Sequence, residues 1–246
     1  MRSKLWTKNK NLNLIVLIIN IVLSITLFVI NVFYQLPAPK WDLTFKFIGS
    51  ALCLTLGAIN LTCGLIKKNI NVNFSITMLV GLALSFGGDV AIEYEFIAGA
   101  ALFALAHVCY VIGYYFISKF HWLDIVVSLL MAIPSALTIA LLPSFDFGSD
   151  LLKYVIVGYS IIISLMFGKS ISNLIIKKNF HALLIFVGSI LFVASDFCLL
   201  LELFTDLGYK WGHGCMALYF PALLVFGYSI FFQSKSDFKI CIKKDQ

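Results

Sequence analysis

The sequence predicts an all-α fold, a polytopic membrane helix bundle with eight transmembrane helices, on three observations. Hydrophobic residues make up 61% of the 246 positions and charged residues 12%, with a mean hydropathy of +0.99. Soluble domains carry roughly 25% charged residues, so a fold in water has no means of hiding this much apolar surface. The apolar residues also gather into eight stretches, at about 12–34, 43–66, 72–92, 95–118, 122–142, 151–176, 180–204 and 212–233. Each reaches the ~20 residues that a helix needs to cross the hydrocarbon core. Finally, "LNLIVLIINIVLSITLFVI" (12–30) is apolar on every face, whereas a membrane barrel alternates apolar and polar residues over segments of about ten.

The connections follow from their composition. The first span comes after "MRSKLWTKNK", which resembles the basic region of a signal peptide. Its apolar part is too long for that role and no A-x-A-like site follows, so it reads as an uncleaved span. "QLPAPK" (35–40), "LPSFDFGSD" (142–150) and "DLGYKWGHG" (206–214) supply the loop punctuation. Pro134 and Pro221 fall inside spans five and eight, where neighbouring groups can satisfy the freed carbonyl and a kink is expected. Residues 1–246 read as a single transmembrane domain.

Charge sets the expected orientation. With the N-terminus inside, the inner side holds Arg2, Lys4, Lys8, Lys10, Lys67, Lys68, Lys119, Lys169, Lys177, Lys178, Lys235, Lys239, Lys243 and Lys244. The outer side holds Lys40, Lys46, Lys153 and Lys210. The positive-inside rule therefore places both termini in the cytoplasm. The acidic residues lean outward, with Asp42, Glu93, Glu95, Asp146, Asp150, Glu202 and Asp206 at outer loops or helix ends. No basic and aromatic patch outside the spans suggests nucleic acid. The six cysteines lack a C-x-x-C and lie mostly in spans, so they read as small core residues, with no metal site and no cofactor expected. Short loops and Lys/Asn/Ile-rich usage suit a bacterial inner membrane.

One internal echo stands out. "VGLALSFGGDVAIEYEF" (80–96) aligns without gaps to "VGSILFVASDFCLLLEL" (187–203), with the spacing G-x7-D-x5-E in both. Span three thus matches span seven, which predicts a parallel four-plus-four repeat. The matching acids, Asp89 and Asp196, are read as the only carboxylates inside apolar spans. An aspartate at a helix centre costs about 2.5–3.5 kcal/mol on the insertion scale, and intramembrane ionisable groups mark function by default. Small residues precede each one, Gly87-Gly88 and Ala194-Ser195. They would let helices approach closely and bring the carboxylates together, or leave room for a substrate. His107 lies mid-span with Tyr110 on the same face, and Tyr219 stands beside Pro221.

Several motifs fail on inspection. "ALSFG" (83–87) lies in a span and cannot form the strand–turn–helix of a nucleophile elbow. "FGGD" (86–89) has Phe86 where the G-x-G-D of intramembrane aspartyl proteases has glycine. "GKS" (168–170) lacks the upstream P-loop glycine, since position 163 is Ile163.

At these residues the sequence resembles the YhhN family of eight-span membrane proteins, which includes the lysoplasmalogenases. The family pattern, approximately S-l-l-G-D … F-l-x-G … F-x-x-A-H-x-x-Y, stands here as Ser85 to Asp89, Phe96 to Gly99, and Phe103 to His107 with Tyr110. A second block, G-x-x-l-F-x-x-S-D, stands as Gly188 to Asp196 and includes Ser195. The last span departs from the family's t-Y-Y-x-a-Q: Tyr219 fits, Phe220 replaces the second tyrosine, and Leu223 falls where glutamine is expected.

The resemblance implies hydrolysis of the vinyl-ether bond of a lysophospholipid, lysoplasmalogen, within the bilayer. Such chemistry asks for a general acid protonated near neutral pH and a carboxylate to orient water and stabilise an oxocarbenium-like cation, as in two-carboxylate glycoside hydrolysis. Asp89 and Asp196 would form that dyad, titrating as one coupled unit. Ser85, His107, Tyr110, Ser195 and Tyr219 would orient the pair or bind substrate. Glu93, Tyr94, Glu95 and Trp211 would receive a choline-like head at the outer mouth. A different class, a proton- or cation-coupled transporter using the aspartate pair as a relay, fits the same intramembrane carboxylates and repeat.

Overall fold

The computed structural model describes residues 2–34, 42–142, 144–206 and 211–233. Among these residues the chain forms eight helices: α1 (Arg2–Tyr34), α2 (Asp42–Lys67), α3 (Val72–Ala91), α4 (Phe96–Tyr115), α5 (Trp122–Leu141), α6 (Asp150–Lys177), α7 (Phe180–Phe204) and α8 (Trp211–Phe231). All eight are long and apolar enough to cross a membrane. Their exposed surface is dense in Ile, Leu, Val and Phe, the solvent-facing pattern of a chain whose solvent is lipid. Of the loops singled out in the sequence, 35–40 lies outside the described residues, as do Pro143 and residues 207–210 of the other two. The same holds for Cys241 and for the cationic residues 235–244.

Local chemistry explains the helix starts. Asn71, Glu95, Ser149 and Asn179 each accept a backbone N–H from the first turn of the helix that follows. At α5, His121 and Asp124 cap reciprocally, so the four free N–H groups of a helix end are partly satisfied by side chains. Helix α4 stops at Tyr115, three residues before the expected end of that span. Phe116 and Ile117 there make tightened bonds to Gly113 and Tyr114, three residues back. Pro134 and Pro221 both lie within continuous helix, in α5 and α8.

The packing is built from three hairpins, α3–α4, α5–α6 and α7–α8, with α2 against α1, α3 and α8, and α6 against α4 and α7. Shifting each helix by four turns α2–α8 into α6–α4, and both pairs pack. The α2–α3 and α6–α7 connections also agree. "LIKKN" (65–69) and "IIKKN" (175–179) each place the second lysine in the left-handed region, Lys68 at φ 53° and Lys178 at φ 48°. Gly81 seats the ring of Tyr110 from α4, and its counterpart Gly188 seats Phe226 from α8. These correspondences support a four-plus-four repeat. The pairs α3–α8 and α1–α8 pack without a counterpart, so the halves have diverged.

Two lysines read as charges at the ends of spans are buried and paired. Lys169, assigned to the inner side, is 1% exposed within α6. It donates to Asp124 Oδ2 at 2.9 Å, Lys119 O at 3.0 Å and Ser118 Oγ at 3.1 Å, with the Tyr115 ring 4.3 Å away. Asp124 is 4% exposed, which corrects the reading that only Asp89 and Asp196 are carboxylates buried in spans. "GKS" is therefore a packing element: Gly168 lies against the Ser128 backbone of α5 while Lys169 closes the ion pair. Lys46, assigned to the outer side, is 8% exposed in the first turn of α2 and bonds Glu93 at 2.6 Å.

A buried ion pair leaves an uncompensated charge when one partner is removed. Lys169→Met is expected to lower stability by about 3–5 kcal/mol. Asp124→Leu combined with Lys169→Met should recover much of that loss, as read by thermal unfolding in detergent. A loss in the double variant equal to the sum of the Asp124→Leu and Lys169→Met losses would show that the pair carries no coupling.

Candidate active site

The two aspartates end in one cavity. It measures about 190 Å³ and is lined mostly by apolar side chains of α4 to α8, with Asp89, Asp196, Lys46, Ser135, Tyr159, Ser160, Ser164, Ser195 and Tyr219 as its polar groups. Among the described residues, α3 and α7 meet through the rings of Phe74 and His181, 4.8 Å apart, at the end of α3 away from Asp89. Expected to bring the carboxylates together or to leave room for a substrate, the small residues before each aspartate face α4 and α8. Gly88 gives way to the Phe103 ring, whose nearest atom would sit 2.9 Å from an added Cβ, and a Cβ added at Gly87 would stand 3.6 Å from Leu102. Ser195 turns its hydroxyl to Cys215 O at 3.0 Å, tying α7 to α8. What the aspartates share is the space between their helices.

Asp89 lies in the last turn of α3 and is 1% exposed. Its Oδ2 accepts from the Tyr219 hydroxyl of α8 at 2.7 Å and from Ser50 of α2. Asp196 lies two turns from the end of α7. Its Oδ2 accepts from the Tyr159 hydroxyl of α6 at 2.5 Å, with His107 Nε2 of α4 at 3.4 Å. His107 Nε2 is also 2.8 Å from the Tyr159 oxygen. Tyr159 gives its one proton to Asp196, so Nε2–H must donate to Tyr159. The order is His107 to Tyr159 to Asp196. His107 Nδ1 is buried without a partner among the described residues.

The two supports come from helices that correspond under a shift by four. Asp89 on α3 is held from α2 and α8, and Asp196 on α7 is held from α6 and α4. The same shift by four relates each pair of helices. The donors have diverged, since one aspartate has serine and tyrosine while the other has a tyrosine backed by histidine.

The remaining expected residues fall in three places. Tyr219 touches Asp89 and lines the cavity. Ser85 and Tyr110 bond each other at 3.1 Å, fully buried behind the cavity wall, and Tyr219 reaches the Ser85 carbonyl at 3.4 Å. His107 is equally buried and acts through Tyr159, so neither it nor Tyr110 reaches a head group at the mouth. Of the mouth residues, Glu93 pairs with Lys46, while Glu95 spends its carboxylate on the N–H groups of Ile97 and Ala98 as the cap of α4. Tyr94 is 84% exposed, and Trp211 opens α8 outside the cavity lining. Leu223 is buried in the core, and Gln233 bonds Asn71 N and Ser75 at the opposite end of α3.

Sequence reasoning missed Lys46, Ser50 and Tyr159. A signal for the first two was present. Lys46, Ser50, Cys53 and Asn60 recur at i, i+4, i+7 and i+14, one polar stripe on an otherwise apolar helix. Tyr159 had no such pattern, because its role comes from α4 and α7.

No curated protein and no solved structure matches this chain. A family match exists, and it covers the site. The model of the YhhN family matches residues 41–230, from one residue before α2 to the last turn of α8, including both aspartates and every residue that bonds them. The chain belongs to the YhhN family.

Proposed function

We propose that the protein is an integral-membrane hydrolase that cleaves the vinyl-ether bond of a 1-alkenyl-glycerophosphocholine or -ethanolamine. The reading is supported most by one observation: two corresponding carboxylates, each held by donors from two other helices, open into a single largely apolar cavity. An alkenyl chain suits the apolar walls. Met131, Phe197 and Leu203 line the cavity and also face outward from the bundle, offering the chain a path from the bilayer.

The dyad delivers a proton to the vinyl carbon remote from oxygen, and the ether oxygen shares the resulting positive charge. The ionised partner stabilises that cation and orients water. Water adds to the carbon bearing the oxygen, its proton returns to the dyad, and the hemiacetal breaks its bond to the glycerol oxygen. One water is consumed, and a fatty aldehyde and a glycerophospho-base leave. Tyr219 and Ser50 fix Asp89, and the His107–Tyr159 chain fixes Asp196, so the two carboxylates meet the reacting carbons in set orientations.

Purified protein in detergent, with no membrane gradient, is expected to release aldehyde from 1-alkenyl-glycerophosphocholine. A relay transporter would show none, and a folded protein without turnover on either head group would sink the hydrolase reading. Asp89→Asn and Asp196→Asn should each reduce release by about 10²–10⁴-fold, the usual range for a lost acid or base, with unchanged helicity and elution. Full activity in either removes that aspartate from the chemistry. Tyr159→Phe removes the hydrogen bond to Asp196 and is expected to lower kcat by roughly ten- to a hundredfold. Tyr110→Phe, one layer behind the cavity, should cost far less in the same assay.

A further inference from the structure

Among the described residues lining the cavity, Lys46 alone carries a positive charge. It sits where α2 meets the α3–α4 connection, with its ammonium 2.6 Å from Glu93 Oε1. Its charge also acts on Asp89 and Glu202. Glu202 is the repeat counterpart of Glu95, yet it does not cap a helix start. It lies within α7, against Gly212 of α8. The cavity wall therefore holds one cation paired with Glu93, a carboxylate that is not needed for the chemistry, and shares its lining with both aspartates.

A structural clamp explains the Lys46–Glu93 bond but not its placement. A clamp gains nothing from standing in the wall of the cavity, and desolvating a lysine there is costly. A lysophospholipid head is itself an ion pair, with a phosphate two bonds from the glycerol and an amine beyond it. We propose that Lys46 is the phosphate-recognition residue of this site, and that it exchanges Glu93 for the substrate's phosphate when the head group enters. Glu93, released, and Glu202 then meet the amine. The exchange conserves charge, since one ammonium–carboxylate pair and one zwitterion become an ammonium–phosphate and an amine–carboxylate contact. It also uses Lys46 as a point charge that can turn between partners. The assignment rests on the lysolipid reading above.

The test separates a phosphate site from a clamp. Kinetics are measured with 1-alkenyl-glycerophosphocholine, with 1-alkenyl-glycerophosphate and with 1-alkenylglycerol, which lacks phosphate. Lys46→Met is expected to raise KM about tenfold or more for the two phosphate-bearing substrates, the loss of one charge-assisted contact, and not for 1-alkenylglycerol. Glu93→Gln should lower KM for 1-alkenyl-glycerophosphate, because it removes the carboxylate that competes for Lys46. Equal effects on all three substrates, or KM raised by both variants alike, would assign Lys46 to clamping alone. Binding of a saturated 1-alkyl-glycerophosphocholine, which has no vinyl ether to cleave, supplies a readout free of turnover. Weaker binding to Lys46→Met with no aldehyde from the native protein would overturn the hydrolase reading and keep this one. Unchanged binding would overturn this one whatever the turnover.

Discussion

Hydrocarbon cannot solvate a carboxylate, so every buried acid in this chain must be met by a donor from another helix. That constraint organises the bundle. Asp89 draws in Ser50 from α2 and Tyr219 from α8, and Asp196 draws in Tyr159 from α6 with His107 from α4 behind it. The four supporting helices bring these donors to the acids and contribute to the wall of the cavity between them. The polar contacts that make the acids tolerable are the same ones that aim them.

The two halves solve this with one plan and different residues. Gly81 and Gly188 each admit an aromatic ring from the following helix, which fixes how α4 lies on α3 and α8 on α7. Given that packing, the donors arrive from corresponding helices. Yet Asp89 receives two hydroxyls directly, while Asp196 receives one hydroxyl that a histidine supports. A pair of acids with unequal surroundings is what a proton donor and a cation stabiliser require, since identical sites would compete for the same proton.

Buried charge is otherwise confined to places where it is paired. Lys169 and Asp124 lock α5 to α6 and to the end of α4 through three donated hydrogen bonds. Lys46 and Glu93 join α2 to the α3–α4 connection beside the cavity. The first pair is closed off and serves the fold. The second borders the cavity, which the first does not.

Span number, span limits and the two aspartates were legible in one dimension, because a 20-residue apolar run in lipid has only the helix as a solution and an acid within it is conspicuous. The G-x7-D-x5-E echo was legible for the same reason. The matching "LIKKN" and "IIKKN" turns stand in the sequence too, but their shared left-handed lysine is a backbone property that charge patterning does not reveal. The burial of Lys46 and Lys169 is not legible in sequence, because a lysine near a span end reads as loop charge until a partner on another helix is known. Ser50 stands in a polar stripe of α2, but neither its partner nor that of Tyr159 follows from sequence order. A hydrogen bond to a buried carboxylate depends on which helices become neighbours, and that is decided by packing between segments 37 and 39 residues apart. The chain's order thus supplied the apolar spans, the helices and the two aspartates within them. Only the folded bundle chose their partners, the cavity between them and the cation at its mouth.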